Sequence, residues 1–472
     1  MQIKCGLIIC CIAFHNRITA ANVIANCALH RYYIRKRKLK IMKILIGKET
    51  VIVRGMRPEE NWWGKYQFPR PYRLKDRIAV SVHVEDDTII TTGNPTRWFE
   101  TYDNGDSWVE MPPSDAAECG LLLPNGDRIY FPVEGGTDVS GYKFPPFEAL
   151  TPDYDFTKKA EEGEMPIQDG VTAWWSGAVI RAYNADRLPD SLSKKEWHII
   201  RIPSGSNEKI NETVPVDWKY LTRVVFNQGN KRVMKPIYPR GTPKLGPDGA
   251  IWVSAFSGEG HLNPENGKYS PYYSAEIFRS DDNGHSFKQH SHMEYKADGY
   301  KYPYLSGGFS DSDFEFFDDG SMIWFLRSTW MGSTGFEWAP MYFSRSYDGG
   351  KSWTEPEIFS DCGVLPRLCR LDCGVTLLCY ARPGMYVAAF DSKNGEKIGE
   401  TLCVIEPRDR SELANEKVEK PTWHQWDGQC GNPEIIPIGY NTALLFYGDF
   451  YYPDENGVKR KTILCRKITV EK

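Results

Sequence analysis

The pattern Ser/Thr-x-Asp-x-Gly-x-x-aromatic occurs three times in this chain, as TYDNGDSW at 101–108, SDDNGHSF at 280–287 and SYDGGKSW at 346–353. One copy would specify a turn; three copies set among strand-forming stretches specify a repeat architecture. Each copy has the chemistry of a hairpin turn: Asp accepts hydrogen bonds from the turn backbone, Gly takes a positive φ, and the aromatic anchors the turn to a sheet. Asp103, Asp282 and Asp348 are therefore read as structural and are expected on peripheral turns, away from the centre of the molecule.

A second unit recurs between these motifs. FPRPYRLKDRIAVSVHV, CGLLLPNGDRIYFPV, GTPKLGPDGAIWVSAF, DFEFFDDGSMIWFLR, LPRLCRLDCGVTLLCYAR and NPEIIPIGYNTALLFYG each read as strand, tight turn, strand, with turns at Asp76, Gly126, Gly249, Gly320, Gly374 and Gly439. β-branched and aromatic runs flank every turn, as half-buried and central strands require. Six such units, each extended to about four strands and arranged radially, make an all-β, six-bladed β-propeller over residues 42–472. Residues 135–238 break the spacing and are expected to form a long insertion between the second and third blades, of the kind that caps a site or extends a blade.

Charge separates the ends from the body. Residues 1–43 carry nine Lys/Arg and no acid, which leaves the rest with 49 basic against 62 acidic residues. An acidic body argues against nucleic acid as a partner. The apolar run Cys5–Phe14 is too short to span a bilayer and leads into RYYIRKRKLK, whereas MKILIGKETVIVRG starts a strand pattern at once. Residues 1–41 are accordingly read as an extension outside the fold; as a signal peptide they would send the protein out of the cell. The 12 cysteines include no CxxC pair, so zinc has no supporting spacing, and thiols in a reducing cytoplasm are expected rather than a disulfide framework. No cofactor or metal motif is present.

The Asp motifs match the bacterial neuraminidase repeat, and their placement within six strand–turn–strand units resembles the sialidase superfamily of glycoside hydrolases over nearly all of residues 45–472. That resemblance implies three arginines clamping a substrate carboxylate, a Tyr activated by a Glu attacking the anomeric carbon, and an Asp as acid/base. Guanidinium pairs bidentately with carboxylate, and a neutral Tyr approaches an anionic sugar with less repulsion than a carboxylate would. Arg327, at the end of the fourth unit, and Arg382, in CYARPG, resemble two of the three arginines. Gln67-Phe68-Pro69 stands where the family has Arg-Ile-Pro, with Arg70 the one residue able to substitute. Cys430-Gly431-Asn432 stands where the family has Cys-Gly-Tyr, and Asp311 aligns with the activating Glu.

The candidate site is therefore a funnel lined by carboxylates at strand entrances (Glu118, Asp311 and Asp313), with Arg240 opening the third unit and Gln67, Arg70, Asn432, His261 and Tyr304 as lining residues. Aromatics such as Trp62, Trp63, Tyr302, Trp423 and Trp426 suit the faces of a sugar. The expected activity is a sialidase-like exo-glycosidase acting on a terminal sugar, acidic ones included. One carboxylate would activate water while another protonates the leaving oxygen. The alternatives are a propeller that binds glycans without cleaving them and, more remotely, a uronate polysaccharide lyase with a Tyr or His base. Fold alone does not choose among these.

Overall fold

The computed structural model describes residues 42–57, 66–84, 96–113, 119–132, 135–143, 181–184, 188–228, 231–234, 237, 239, 241–256, 261–262, 269–270, 273–296, 308–328, 340–382, 384–406 and 432–471. The extension 1–41 lies outside them. Residues 46–469 form one compact unit.

Strand β1 (Lys43–Arg54) precedes an antiparallel meander of β2 (Gln67–Arg73), β3 (Ile78–His83), β4 (Thr96–Thr101) and β5 (Val109–Met111). The second sheet begins with β6 (Leu121–Leu122) and β7 (Arg128–Tyr130). The chain then leaves it through β8 (Thr137–Asp138), β9 (Arg181–Asn184) and the short helix α1 (Asp190–Ser193), and returns with β10 (Glu196–Ile202) and β11 (Ile210–Asp217). After β12 (Thr222–Gln228) and β13 (Lys231–Met234), the third sheet takes β14 (Lys244–Leu245), β15 (Ile251–Phe256), β18 (Ala275–Ser280) and β19 (Phe287–Met293), with the small hairpin β16 (His261–Leu262) and β17 (Tyr269–Ser270) between its second and third strands. The fourth is β20 (Ser312–Phe316), β21 (Met322–Arg327), β22 (Met341–Ser346) and β23 (Glu357–Ser360). The fifth is β24 (Val364–Leu371), β25 (Val375–Ala381), β26 (Met385–Asp391) and β27 (Lys397–Ile405). In the sixth, β28 (Glu434–Pro437), β29 (Thr442–Pro453) and β30 (Lys459–Glu471) accept β1 as the outer strand, so the two ends of the fold close one sheet. The second and third groups, β6-β7-β10-β11 and β14-β15-β18-β19, are joined by a short parallel pairing of β11 with β19 into one eight-stranded sheet; with the four-stranded sheets in chain order and the first strands β20, β24, β28 and β2 adjacent in turn, they give an all-β propeller.

The six turns read from sequence join the first and second strand of each sheet. In four of them the Gly amide bonds the carbonyl three residues back, from Gly126 to Leu123, Gly249 to Gly246, Gly320 to Phe317 and Gly374 to Leu371. These glycines have φ between 80° and 89°, which a side chain would strain. The stretch 135–238 is not extra throughout. Glu196–Ile202 alternates inward (Trp197, Ile199, Arg201) and outward residues, and supplies the third strand of the second blade. What is additional is a separate sheet in the order β8-β13-β12-β9.

Apolar clusters glue each blade to the next. The largest side chains meet between the second and third blades, where Trp197 and Trp218 pack edge-on against Phe278 at 5.0 and 4.8 Å. Burying such a ring contributes roughly 1.5–3 kcal/mol. The three Asp turns add polar stitches with one shared geometry. In each, the hydroxyl of Thr101, Ser280 or Ser346 donates to the Asp at 2.7, 2.7 and 2.9 Å and accepts from the Gly amide. The aromatics Trp108, Phe287 and Trp353 insert into the cluster shared with the preceding blade. That blade also bonds the turn carbonyls: Arg201 to Asn283 at 2.9 Å, Ser291 to Gly350 at 2.7 Å.

Candidate functional site

Antiparallel register decides which residues share an end of the propeller. Gln67 lies opposite His83, Ser312 opposite Leu326, Val364 opposite Ala381 and Glu434 opposite Phe446. The starts of the first strands and the ends of the second strands therefore form one mouth, which gathers Gln67, Asp311, Arg327, Arg382 and Asn432. The Asp turns join third to fourth strands and so lie at the opposite end.

Four first strands enter through a proline followed by a charge: Phe68-Pro69-Arg70, Thr242-Pro243-Lys244, Leu365-Pro366-Arg367 and Asn432-Pro433-Glu434. Proline suits a strand start, where no ladder bond is lost. In two of these the preceding residue is left-handed, Phe68 at φ 52° and Leu365 at φ 48°, and the register slips from Gln67 to Arg70 and from Val364 to Arg367. A residue before proline ordinarily stays extended, so each such conformation costs about 1–3 kcal/mol.

The charged residues after these prolines form an arc of alternating sign just inside the mouth. Lys244 of the third blade contacts Asp313 of the fourth at 3.1 Å and Glu315 at 3.3 Å. Asp313, 1% exposed, also accepts the amide of Phe314 at 2.9 Å and, from the fifth blade, that of Leu368 at 2.8 Å. Arg367 donates to Glu434 of the sixth blade at 2.8 Å. Burial opposes the charge of Arg367, but Glu434, then Asp313 and Asp311, outweigh it and hold the guanidinium protonated. Burial pushes the Glu434 carboxyl above its usual range against the pull of Arg367 and then of Arg70 on the first blade. Arg70 in turn bonds Tyr130 of the second blade, whose hydroxyl burial also pushes up.

At the mouth itself Arg327 pairs with Asp311, and the two backbones bond as well, Arg327 N to Asp311 O at 3.3 Å. Both side chains keep about a fifth of their surface in solvent (21% and 19%). Arg382, at φ 65° and buried, donates to Asn432 at a long 3.3 Å. Gln67 is 0% exposed, yet among the described residues neither its amide oxygen nor its amide nitrogen has a partner, and the Arg327 Nε is likewise buried and unbonded. A buried amide left unsatisfied costs about 1–3 kcal/mol for each such group.

Of the residues singled out in the sequence, the structure joins Asp311 to Arg327 and Asn432 to Arg382. It sets Asp313 deeper, with both oxygens engaged. Arg70 belongs to the charged arc. Glu118, Arg240 and Tyr304 lie outside the described residues, as do Trp62, Trp63, Tyr302, Trp423 and Trp426; His261 is placed only by its backbone, which pairs with Ser270. Lys244, Arg367 and Glu434 went unnoticed in the sequence, although the repeated x-Pro-charge entry marks all three. Among the described residues no group of three or more His, Cys, Asp or Glu could hold a metal, and seven cysteines are free thiols. A cleft of about 440 Å³ lies elsewhere, between β19 and the turn after β22, and takes no residue from the mouth.

No family model and no curated protein matches the chain. Among proteins of known structure, it is similar to a protein of unknown function from Dyadobacter fermentans (14% identity, 92% of this chain and 100% of that one, TM-score 0.52). Matches also include the NanB sialidase of Streptococcus pneumoniae, as a K499G mutant (12% identity, 89% and 70%, TM-score 0.43), and an α-L-arabinanase of Penicillium chrysogenum (11% identity, 89% and 98%, TM-score 0.38). At these identities the likeness concerns the fold alone.

Proposed function

We propose that this chain is a sialidase-like exo-glycosidase that takes a terminal sugar bearing an anionic or acceptor-rich group. The observation that carries this reading is the Gln67 amide, fully buried at the mouth with donor and acceptor both unbonded. Such a group persists where a ligand completes it. The mouth also presents the guanidiniums of Arg327 and Arg382, whose planar forks fit a carboxylate. Glu434, pushed up by burial, serves as the proton donor to the leaving oxygen. Asp311 takes a proton from water as the water oxygen attacks the anomeric carbon and the glycosidic C–O bond breaks. Asn432 has no nucleophilic chemistry, so sialidase turnover through a tyrosine at that position is not expected.

The test is a screen of aryl glycosides, a sialoside and a glucuronide included, with wild type, Glu434→Gln and Arg327→Met. Turnover of at least one substrate should fall about 10²- to 10⁴-fold in Glu434→Gln. A second reading, a glycan-binding propeller without turnover, is favoured by the ion pairs that occupy Asp311 and Glu434. It expects no cleavage of any substrate and loss of retention on a glycan surface in Arg327→Ala. Turnover that survives in Glu434→Gln would refute the assignment of the acid.

A further inference from the structure

The additional sheet holds a cation with no counter-charge among the described residues. Arg223 lies on β12, a central strand of the β8-β13-β12-β9 sheet, opposite Tyr183 of β9. It is 7% exposed and its Nε has no hydrogen-bond partner. Among the described residues no carboxylate stands close enough to support its charge: burial pushes its pKa down to about 10, which leaves it protonated at neutral pH. Two other buried guanidiniums are matched by carboxylates. Arg201 has Glu212 at 2.9 Å and Arg367 has Glu434 at 2.8 Å. A desolvated ion without a partner is destabilising, and replacing it by an apolar side chain is then neutral or favourable. A fold that keeps one has left the counter-charge to something it binds.

We propose that Arg223 is the anchor of an oxyanion site in the additional sheet, taking a carboxylate, sulfate or phosphate group through the guanidinium fork. That group is either a free inorganic anion or the charged substituent of a sugar. This site shares no residue with the mouth, so it stands whether or not the glycosidase reading does.

The test is thermal melting of the full chain in sodium sulfate, sodium phosphate and sodium glucuronate against sodium chloride at matched ionic strength. At about 100 times the dissociation constant, binding should raise the wild-type melting temperature by roughly 3 °C. Measured in the Arg327→Met background, where the mouth has lost that guanidinium, the shift should vanish on adding Arg223→Met and shrink on adding Arg223→Lys. Without the anion, Arg223→Met should melt at or above wild type. A shift from sulfate or phosphate alone identifies a free oxyanion, and one from glucuronate alone a sugar carboxylate. In that background, no shift from any of the three, or a shift retained on adding Arg223→Met, would overturn the proposal. If Arg223→Met does not fold, the Lys variant decides: a full shift there also overturns it.

Discussion

Replacing Asp313 by Asn separates a structural carboxylate from a catalytic one. In the wild type its two oxygens hold Lys244 of the preceding blade at 3.1 Å and the Leu368 amide of the following blade at 2.8 Å. The Asn oxygen can still accept from Leu368, but the amide nitrogen then stands where the other oxygen accepted from the Phe314 amide and held Lys244, so the change removes the charge and both of those contacts. Breaking a buried pair from one side costs about 3–5 kcal/mol. Here Lys244 keeps Glu315 at 3.3 Å and the Phe314 carbonyl, which places the expected cost near the lower end, about 3 kcal/mol. Unfolding entropy of about 2.1 cal/mol/K per residue over residues 46–469 converts this to a drop of roughly 3 °C in the melting temperature. Differential scanning calorimetry on wild type, Asp313→Asn, Lys244→Met and the double variant reads it directly. The double variant should recover part of the loss, because it no longer strands one charge. A melting temperature unchanged in Asp313→Asn, together with lost turnover, would refute the clamp and restore Asp313 to the chemistry.

Two further outcomes follow from the titrating groups. The Ser352 hydroxyl and amide, with the Ser346 hydroxyl, pull Asp348 down to about 2, below the roughly 3.9 of an unfolded Asp. Its contribution is therefore full above pH 4 and lost as pH falls toward 2, so the melting-temperature gap between wild type and Asp348→Ala should narrow over that window; a gap constant from pH 6 to pH 2 would contradict the geometry. Glu434 is shifted the other way, by burial, so an acid role requires the rate to fall as pH rises through its elevated pKa. The Glu434→Gln profile should lack that limb, and an identical limb in the variant would assign it to another group.

The fold was legible because its signals are local. An Asp turn and a Gly turn each specify their own geometry, and a chain with three of one and six of the other has few architectures open to it. The outer strands of the second blade were harder to see. β10 is separated from its partner β7 by the residues of β8 and β9, and the rule that consecutive strands pair assigns it to the insertion. The site was legible only in part for a related reason. Asp311 and Arg327 end the two strands of one hairpin, so their pairing follows from the turn. Asp313 looks the same in sequence as Asp311. What distinguishes them is Lys244, 69 residues earlier on another blade, which no local pattern reports. Glu434 and Arg367 pair across 67 residues for the same reason, and only comparison of the blade entries with one another reveals them.

The distribution of matched and unmatched groups separates support from function. Inside the mouth every blade entry that brings a charge finds its opposite on a neighbour: Lys244 with Asp313, Arg367 with Glu434, Arg70 near Glu434. These contacts fix blade order where the strands converge, at a desolvation cost that the alternating signs offset. One step outward Arg327 still pairs with Asp311, but the matching is incomplete. Gln67 is unbonded, Arg327 Nε is unbonded, and the backbone beside them is left-handed at Tyr66 and Phe68. Strain and unsatisfied donors at one end of a scaffold that satisfies its charges deeper down are what a binding site requires. The same contrast singles out Arg223, and it is why the mouth and the additional sheet, rather than the cleft beside β19, are where ligands are expected.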